Sequence, residues 1–409
     1  MHDDAIKFTI SLLAVWLNNS VAVPLHCNYP KEEVQHRMAV VGSDSIIGKW
    51  QAPLLPIARN VSIDLDDALV LFTSGSTAKP KGVLHTFSSL SSQLGDLHAS
   101  WQLSPEDKFL HCLPLNHIHG LVTGLLSALS VGASIEIHSR FDGASLWAGL
   151  GRSTVFTAVP TIYSALYQER LGQDLNRVRL MISGSSSLSP SLFDKWKGIR
   201  AQGIVERYGM TETGMIASNS IVAGQHQKGS VGRCFPSVEM KIIKDDPGES
   251  FGQIFVRGPG LFRRYLNEGA ADGPVDGSGF FRTGDQGFID EASGCLVLTG
   301  RDRDIFKVNG FKVSAVEIEN ALLEEGTVRE CAVAGVVDGG GAHGDLVVVH
   351  IVLEEGVDAA GCDAAYYRKY LGAKLAHYKI PRRWHVGRRP LPRNMLGKVD
   401  KKQLLAGVA

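Results

Sequence analysis

Between Ala68 and Tyr208, short runs of apolar and β-branched residues alternate with stretches whose apolar positions recur every three or four residues. A parallel sheet with crossover helices requires that alternation. The strands it predicts are residues 68–72, 109–113, 133–138, 154–158, 179–183 and 203–207. Between the first two, Phe87, Leu90, Leu94, Leu97 and Trp101 fall on one helical face. Past Ser230 the texture changes to short runs broken by glycine, such as VEMKII (238–243) and QIFVRG (253–258), which suit an antiparallel sheet or small barrel. After a charged turn, GRDRD (300–304), come a helical run over 313–323, strands over 329–337 and 345–353, a further helix and a basic tail. GGGAHG (339–344) reads as a mobile loop. The expected fold is α/β. A large N-terminal domain of doubly wound sheets (1–300) includes a β-barrel-like subdomain (230–300), and a small α+β C-terminal domain (301–409) follows.

Charge and cysteine content narrow the function classes. Lys plus Arg and Asp plus Glu number 42 each, so no global field points to nucleic acid or an anionic membrane. Any anion site is local. The six cysteines are scattered without a C-x-x-C pair, which argues against a zinc site or a disulfide framework and for reduced intracellular thiols. The most apolar stretches, 8–17 and 120–135, are too short or too interrupted for a transmembrane helix. The first residues lack the basic leader of a secretory signal and the Arg-rich character of a transit peptide. The expected location is intracellular, mitochondrial or cytoplasmic, and the oligomeric state is unspecified.

The segment TSGSTAKPKG (73–82) follows a predicted strand directly. Its hydroxyls and glycines supply neutral donors, and Lys79 and Lys81 supply charge, as a polyphosphate requires. It lacks the G-x-x-x-x-G-K-[ST] spacing of a Walker A loop. Taken alone, it could equally be a polar surface turn.

It does not stand alone. PLNHIHG (114–120), ERYGMTE (206–212), FRTGDQG (281–287), GRDRDIFKVNGFKVS (300–314) and PRNMLGKVDKK (392–402) follow it in order. Together the six segments resemble the adenylate-forming, AMP-binding superfamily of acyl-CoA synthetases. The wording of several segments is nearest its malonyl-CoA and methylmalonyl-CoA synthetase branch, in an N-terminally shortened form. The resemblance implies an ATP-dependent, AMP-forming acid–CoA ligase with Mg²⁺ as cofactor and coenzyme A as co-substrate. It implies that Thr73, Ser74, Gly75, Ser76, Thr77 and Lys81 grip the β- and γ-phosphates, with Ala78 where the family has glycine. Tyr208 and Gly209 would face adenine, Thr211 the α-phosphate, and Asp285 and Arg301 the ribose. Glu212 would ligate the metal, and Lys398 would be the catalytic lysine at the α-phosphate and acyl carboxylate. Arg303 would be the hinge about which a mobile C-terminal domain rotates, turning Gly310 and Lys312 toward coenzyme A.

The lining of the acyl pocket selects the acid. His117, His119, Ser185 and Arg207 are too polar for a long-chain channel and suit a small dicarboxylate. His119 could instead pack under its loop, and Arg207 could pair with a structural acid. The branch places an arginine shortly before its GSVG turn, where this chain offers His226 or Lys228. Two alternatives stay open: a monocarboxylic fatty or aromatic acid as substrate, and a catalytically silent nucleotide-binding relative. The presence together of Lys81, Glu212, Asp285, Arg301 and Lys398 opposes the second.

Overall fold

The computed structural model describes residues 4–43, 46–48, 64–73, 80–169, 174–222, 224–266, 275–308, 311–336, 345–393 and 399–406. Its largest sheet has seven strands in the spatial order Ser134–Ile137, Lys108–His111, Val155–Ala158, Leu180–Ser183, Val205–Met210, Gly214–Ser218 and Arg233–Cys234. The first five run parallel, and the last two add an antiparallel edge. Side chains alternate between the two faces of a strand. Phe109, Val155, Leu180, Ile182 and Val205 pack with Leu90, Leu97 and Trp101 on one face. Leu110, Phe156 and Met181 pack with Trp147, Tyr163 and Trp196 on the other. Both faces are therefore covered, as a doubly wound sheet demands. Trp196 is fully buried and donates its indole N–H to the Tyr163 carbonyl at 3.1 Å; truncating it to Ala would cost about 3–5 kcal/mol.

The strand expected over 68–72 does not belong to this sheet. Asp67–Thr73 pairs antiparallel with Lys81–Thr86, which pairs in turn with Arg264–Tyr265. The Gly/Ser/Pro-rich residues between Thr73 and Lys81 are too few for a parallel crossover, which needs a dozen or more, but they suffice to close a hairpin. The helix Phe87–Trp101 then starts at Thr86, whose hydroxyl caps it by accepting the Ser89 N–H at 3.0 Å. A second departure is a π-helix over His119–Leu126, a rare form that recurs at functional sites.

Beyond residue 230 a four-stranded antiparallel sheet runs Glu239–Ile243, Gly252–Arg257, Phe281–Asp290 and Cys295–Arg301. A hairpin of Ile305–Val308 and Phe311–Ser314 follows. The helix expected over 313–323 starts at Ala315, because Val313 is paired in the hairpin opposite Phe306 and Ser314 caps the helix by accepting the Glu317 N–H at 3.1 Å. The last sheet joins Val328–Val336, Leu346–Leu353 and Arg383–Gly387, with helices Ala315–Leu323 and Ala364–Gly372 closing its core. The loop at 339–344 lies outside the described residues. Among the described residues, no helix is long and apolar enough to cross a membrane.

Candidate active site

Ligands of open α/β sheets bind beyond the carboxyl ends of the parallel strands, and several expected residues converge there. In Val205–Met210, Glu206 and Arg207 point to opposite faces. Arg207 is 3% exposed, and its guanidinium lies against Gly184, where an added Cβ would sit 2.5 Å from both Cζ and Nε. Its Nε and Nη2 are buried without a hydrogen-bond partner. Burial without a counter-charge lowers its pKa to about 9. The neighbouring acid gives no relief. On the far face the Glu206 carboxyl accepts the Leu188 N–H at 2.9 Å, and burial pushes its pKa up to about 8, so it is largely neutral near pH 7.

His119 lies at the start of the π-helix and bridges two strands' ends. Its Nδ1 meets Ser185 Oγ at 2.9 Å and its Nε2 meets Thr157 Oγ1 at 2.7 Å. Ser185 has a left-handed φ of 70°, unusual outside glycine and the kind of strain that collects at binding sites. His119, Ser185 and Arg207 are thus brought together around the 183–185 turn. His117 instead places Nε2 3.4 Å from the Asn116 amide, whose Nδ2 also donates to the Tyr29 hydroxyl at 2.9 Å. The two residues offered as stand-ins for a second arginine turn toward the helix Pro190–Ile199. Lys228 pairs with Asp194 at 2.9 Å, and the His226 ring lies 6.5 Å from that of Phe193.

A second cluster gathers residues from three sheets. The Tyr208 hydroxyl donates to Asp285 Oδ2 at 2.6 Å, and Arg301 Nε meets Asp285 Oδ1 at 3.0 Å. Asp285 and Arg301 are direct cross-strand partners, so the sheet register sets that pairing. Burial works to lower the Arg301 pKa, but Asp285 and the other acidic groups around it outweigh that and raise it. Gly209 sits at the bend where the strand turns back, and a Cβ there would meet the Gly214 carbonyl oxygen at 2.2 Å. The next turn carries Thr211 and Glu212. The Thr211 carbonyl accepts from His85 Nε2 at 2.7 Å, which assigns the proton to that nitrogen; burial lowers the His85 pKa to about 4 and keeps the ring neutral. Glu212 Oε1 accepts from the Tyr265 hydroxyl at 2.9 Å, and its backbone carbonyl accepts from the Phe262 N–H at 2.8 Å. Burial raises the Glu212 pKa against the opposing pull of Tyr265, Arg301 and Lys81.

Thr73 and Lys81 are register partners at the end of the hairpin formed by Asp67–Thr73 and Lys81–Thr86. Lys81 Nζ stands 4.7 Å from the Tyr265 ring centroid. Ser74, Gly75, Ser76, Thr77, Ala78, Gly310 and Lys398 lie outside the described residues. Arg303 falls within the 3-10 helix Asp302–Asp304, its side chain outside what is described. Lys312, 16% exposed, pairs with Asp245 at 2.8 Å and Glu249 at 2.9 Å in the four-stranded sheet's first turn. Sequence reasoning missed His85, Thr157 and Tyr265. Tyr265 lies in GPGLFRRYLN (258–267), one of the segments that carry the resemblance, but the partners of all three come from distant segments and gave no sign of their roles.

The model of AMP-binding enzymes matches residues 49–266, and that of the AMP-binding enzyme C-terminal domain matches residues 317–398. The chain belongs to the AMP-binding enzyme family. Within it the chain is an acid–CoA ligase of the AMP-forming type, with a large N-terminal α/β domain and a C-terminal AMP-binding domain. It is 35% identical to a malonate–CoA ligase of Arabidopsis thaliana over 97% of this chain and 76% of that one. It is 32% identical to the mitochondrial malonate–CoA ligase ACSF3 of Bos taurus over 98% of this chain and 79% of that one. The Arabidopsis alignment spans 464 positions, more than this AMP-binding enzyme's 409 residues, so the relative carries internal segments lacking here. The crystal structure of ATP-bound MatB from Rhodopseudomonas palustris superposes with a TM-score of 0.87 at 28% identity, covering 99% of this chain and 87% of that one. The apo form of the same protein gives 0.78 over the same shares.

Proposed function

We propose that this AMP-forming ligase activates malonate or methylmalonate and transfers the acyl group to coenzyme A. The observation that carries the choice of acid is Arg207, a buried guanidinium with two unpartnered nitrogens beside His119 and Ser185. A charge held out of water without a partner is costly unless a ligand supplies one, and a second carboxylate can meet a guanidinium with two parallel hydrogen bonds. A monocarboxylic acid would leave that charge unmatched. The names of the Arabidopsis and Bos taurus relatives agree with a dicarboxylate. Because Lys228 is engaged by Asp194, Arg207 is the principal cation for the distal carboxylate.

In the first half-reaction a substrate carboxylate oxygen attacks the α-phosphorus of ATP and pyrophosphate leaves. Thr73, Ser74, Gly75, Ser76, Thr77 and Lys81 hold the β- and γ-phosphates. The Tyr208 ring and Gly209 face adenine, Asp285 and Arg301 take the ribose hydroxyls, and Thr211 and Lys398 meet the charge that develops at the α-phosphate. Glu212 suits a hard divalent cation: its carboxylate is oriented by the Tyr265 hydroxyl at Oε1, and a nearby positive charge would favour the ionised form that burial disfavours. Magnesium held by Glu212 would supply neutralisation of the phosphate charge. In the second half-reaction the thiol of coenzyme A attacks the acyl carbonyl and AMP leaves. The C-terminal domain turns about Arg303 between the two steps and brings Gly310 and Lys312 to the coenzyme A side. Free cysteines throughout the described chain agree with an intracellular location, mitochondrial or cytoplasmic.

The test is coenzyme A-dependent AMP release across malonate, methylmalonate, acetate, a medium-chain and a long-chain fatty acid, with Lys398→Ala as control. Release greatest with the two dicarboxylates and lost in the control supports the reading. Release with monocarboxylates alone keeps the reaction and discards the acid. No turnover from folded protein favours the silent relative.

A further inference from the structure

We infer that Tyr265 is a positioning residue that fixes the spacing between the phosphate-gripping Lys81 and the metal-binding carboxylate of Glu212. The inference rests on the roles proposed above for those two residues and adds the element that couples them. Tyr265 lies in the two-residue strand Arg264–Tyr265, which pairs with the strand that begins at Lys81, opposite Val83. The phosphate strand and Tyr265 are therefore joined by backbone hydrogen bonds and move together.

The side chain then reaches both groups. Its ring carries Lys81 Nζ at 4.7 Å, and its hydroxyl donates to Glu212 Oε1 at 2.9 Å. Aromatic packing locks the ring in place: Phe262 meets it edge-on at 4.8 Å, and Phe281 meets Phe262 edge-on at 5.4 Å. Phe262 also holds the Glu212 backbone through its N–H, so this short segment grips Glu212 at main chain and side chain at once. The bond to Oε1 fixes the orientation of the carboxylate that would face a cation. A metal held by Glu212 against the phosphates would need that carboxylate at a set distance from Lys81, and Tyr265 touches both.

Two substitutions separate the two contacts. Tyr265→Phe removes the hydroxyl and keeps the ring; Tyr265→Leu removes both. The probes are Mn²⁺, followed by electron paramagnetic resonance in the presence of α,β-methylene-ATP, and the same nucleotide analogue without metal. Loss of one hydrogen bond to a charged group should weaken Mn²⁺ binding about tenfold or more in Tyr265→Phe, with metal-free analogue affinity kept within about twofold. Tyr265→Leu should in addition weaken the metal-free analogue by roughly two- to fivefold, because Lys81 loses its platform. Glu212→Gln is the control for the underlying reading. If Glu212→Gln lowers Mn²⁺ affinity and Tyr265→Phe does not, Tyr265 merely packs and the inference is overturned. If Glu212→Gln leaves Mn²⁺ affinity intact, the metal site itself is wrong, and the inference goes with it.

Discussion

Arg207 and Gly184 occupy one volume between them: the guanidinium fills the space that any side chain at 184 would need. The contact puts a buried charge at the end of the parallel sheet with no acid to answer it. Arg207→Leu should therefore separate function from stability. Removing one partner of a buried charge pair costs about 2–5 kcal/mol in binding, so KM for malonate should rise at least about thirtyfold while KM for ATP holds. The melting temperature should stay level or increase, because the free protein loses an uncompensated charge. Gly184→Ala should reproduce the substrate defect by displacing the guanidinium. Steady-state kinetics and calorimetry on both variants check this.

Tyr208 contributes a hydroxyl as well as a ring, and the hydroxyl orients Asp285. Tyr208→Phe keeps a face for adenine and removes one hydrogen bond from the carboxylate, which stays paired with Arg301. KM for ATP should rise roughly three- to thirtyfold, in line with loss of a hydrogen bond to a charged group, with KM for the acid unchanged. Fluorescence titration with a nucleotide analogue measures the same loss at equilibrium.

The buried carboxyl of Glu206 makes stability fall with rising pH. Its pKa is raised from 4.5 to about 8 by burial, so between those values the folded chain holds a proton that the unfolded chain has released. The contribution is complete below pH 4.5 and is lost as pH climbs through 8, at up to about 1.4 kcal/mol per pH unit. Buried His85 and His111, both lowered to about 4, act in the opposite sense but only below pH 6.5. Chemical denaturation from pH 6.5 to 8 should show the decline, and Glu206→Gln, which can still accept the Leu188 N–H, should flatten it.

Lys312 is held by Asp245 and Glu249, across the junction that rotation about Arg303 would have to open. Both acids lie outside the proposed catalytic groups. The variant Asp245→Asn/Glu249→Gln should change stability by less than about 1 kcal/mol, since the pair is near the surface. It should speed thioester formation from preformed acyl-AMP by up to about fivefold and leave adenylate formation unchanged. Stopped-flow measurement of each half-reaction distinguishes them.

What the sequence revealed followed the physics of burial. Strands around Phe109, Phe156, Ile182 and Val205 are visible because both faces are covered and the runs are apolar throughout. Lys81–Thr86 is not, because KGVLHT is short and merges into the helical pattern that begins at Phe87. The π-helix hides inside a largely apolar stretch, GLVTGLLSAL, where a wider turn leaves no distinct periodic trace. The site divides in the same way. Ordered motifs pointed to Tyr208, Asp285 and Arg301, and the fold brings those three into contact. The isolation of Arg207 could not be read, since it depends on which face Glu206 takes. Nor could the links from His85 to Thr211 or from Tyr265 to Glu212, side-chain hydrogen bonds that join positions 126 and 53 residues apart between the three-stranded sheet that holds Lys81–Thr86 and the turn after Val205–Met210.

The most direct test of the central claim follows an oxygen atom. Malonate labelled with ¹⁸O in its carboxylates is incubated with ATP, coenzyme A and the protein, and the products are weighed by mass spectrometry. Attack of the carboxylate on the α-phosphorus predicts malonyl-CoA together with AMP carrying one ¹⁸O, and unlabelled pyrophosphate. Formation of ADP with ¹⁸O in inorganic phosphate would mean attack at the γ-phosphorus and would contradict the account.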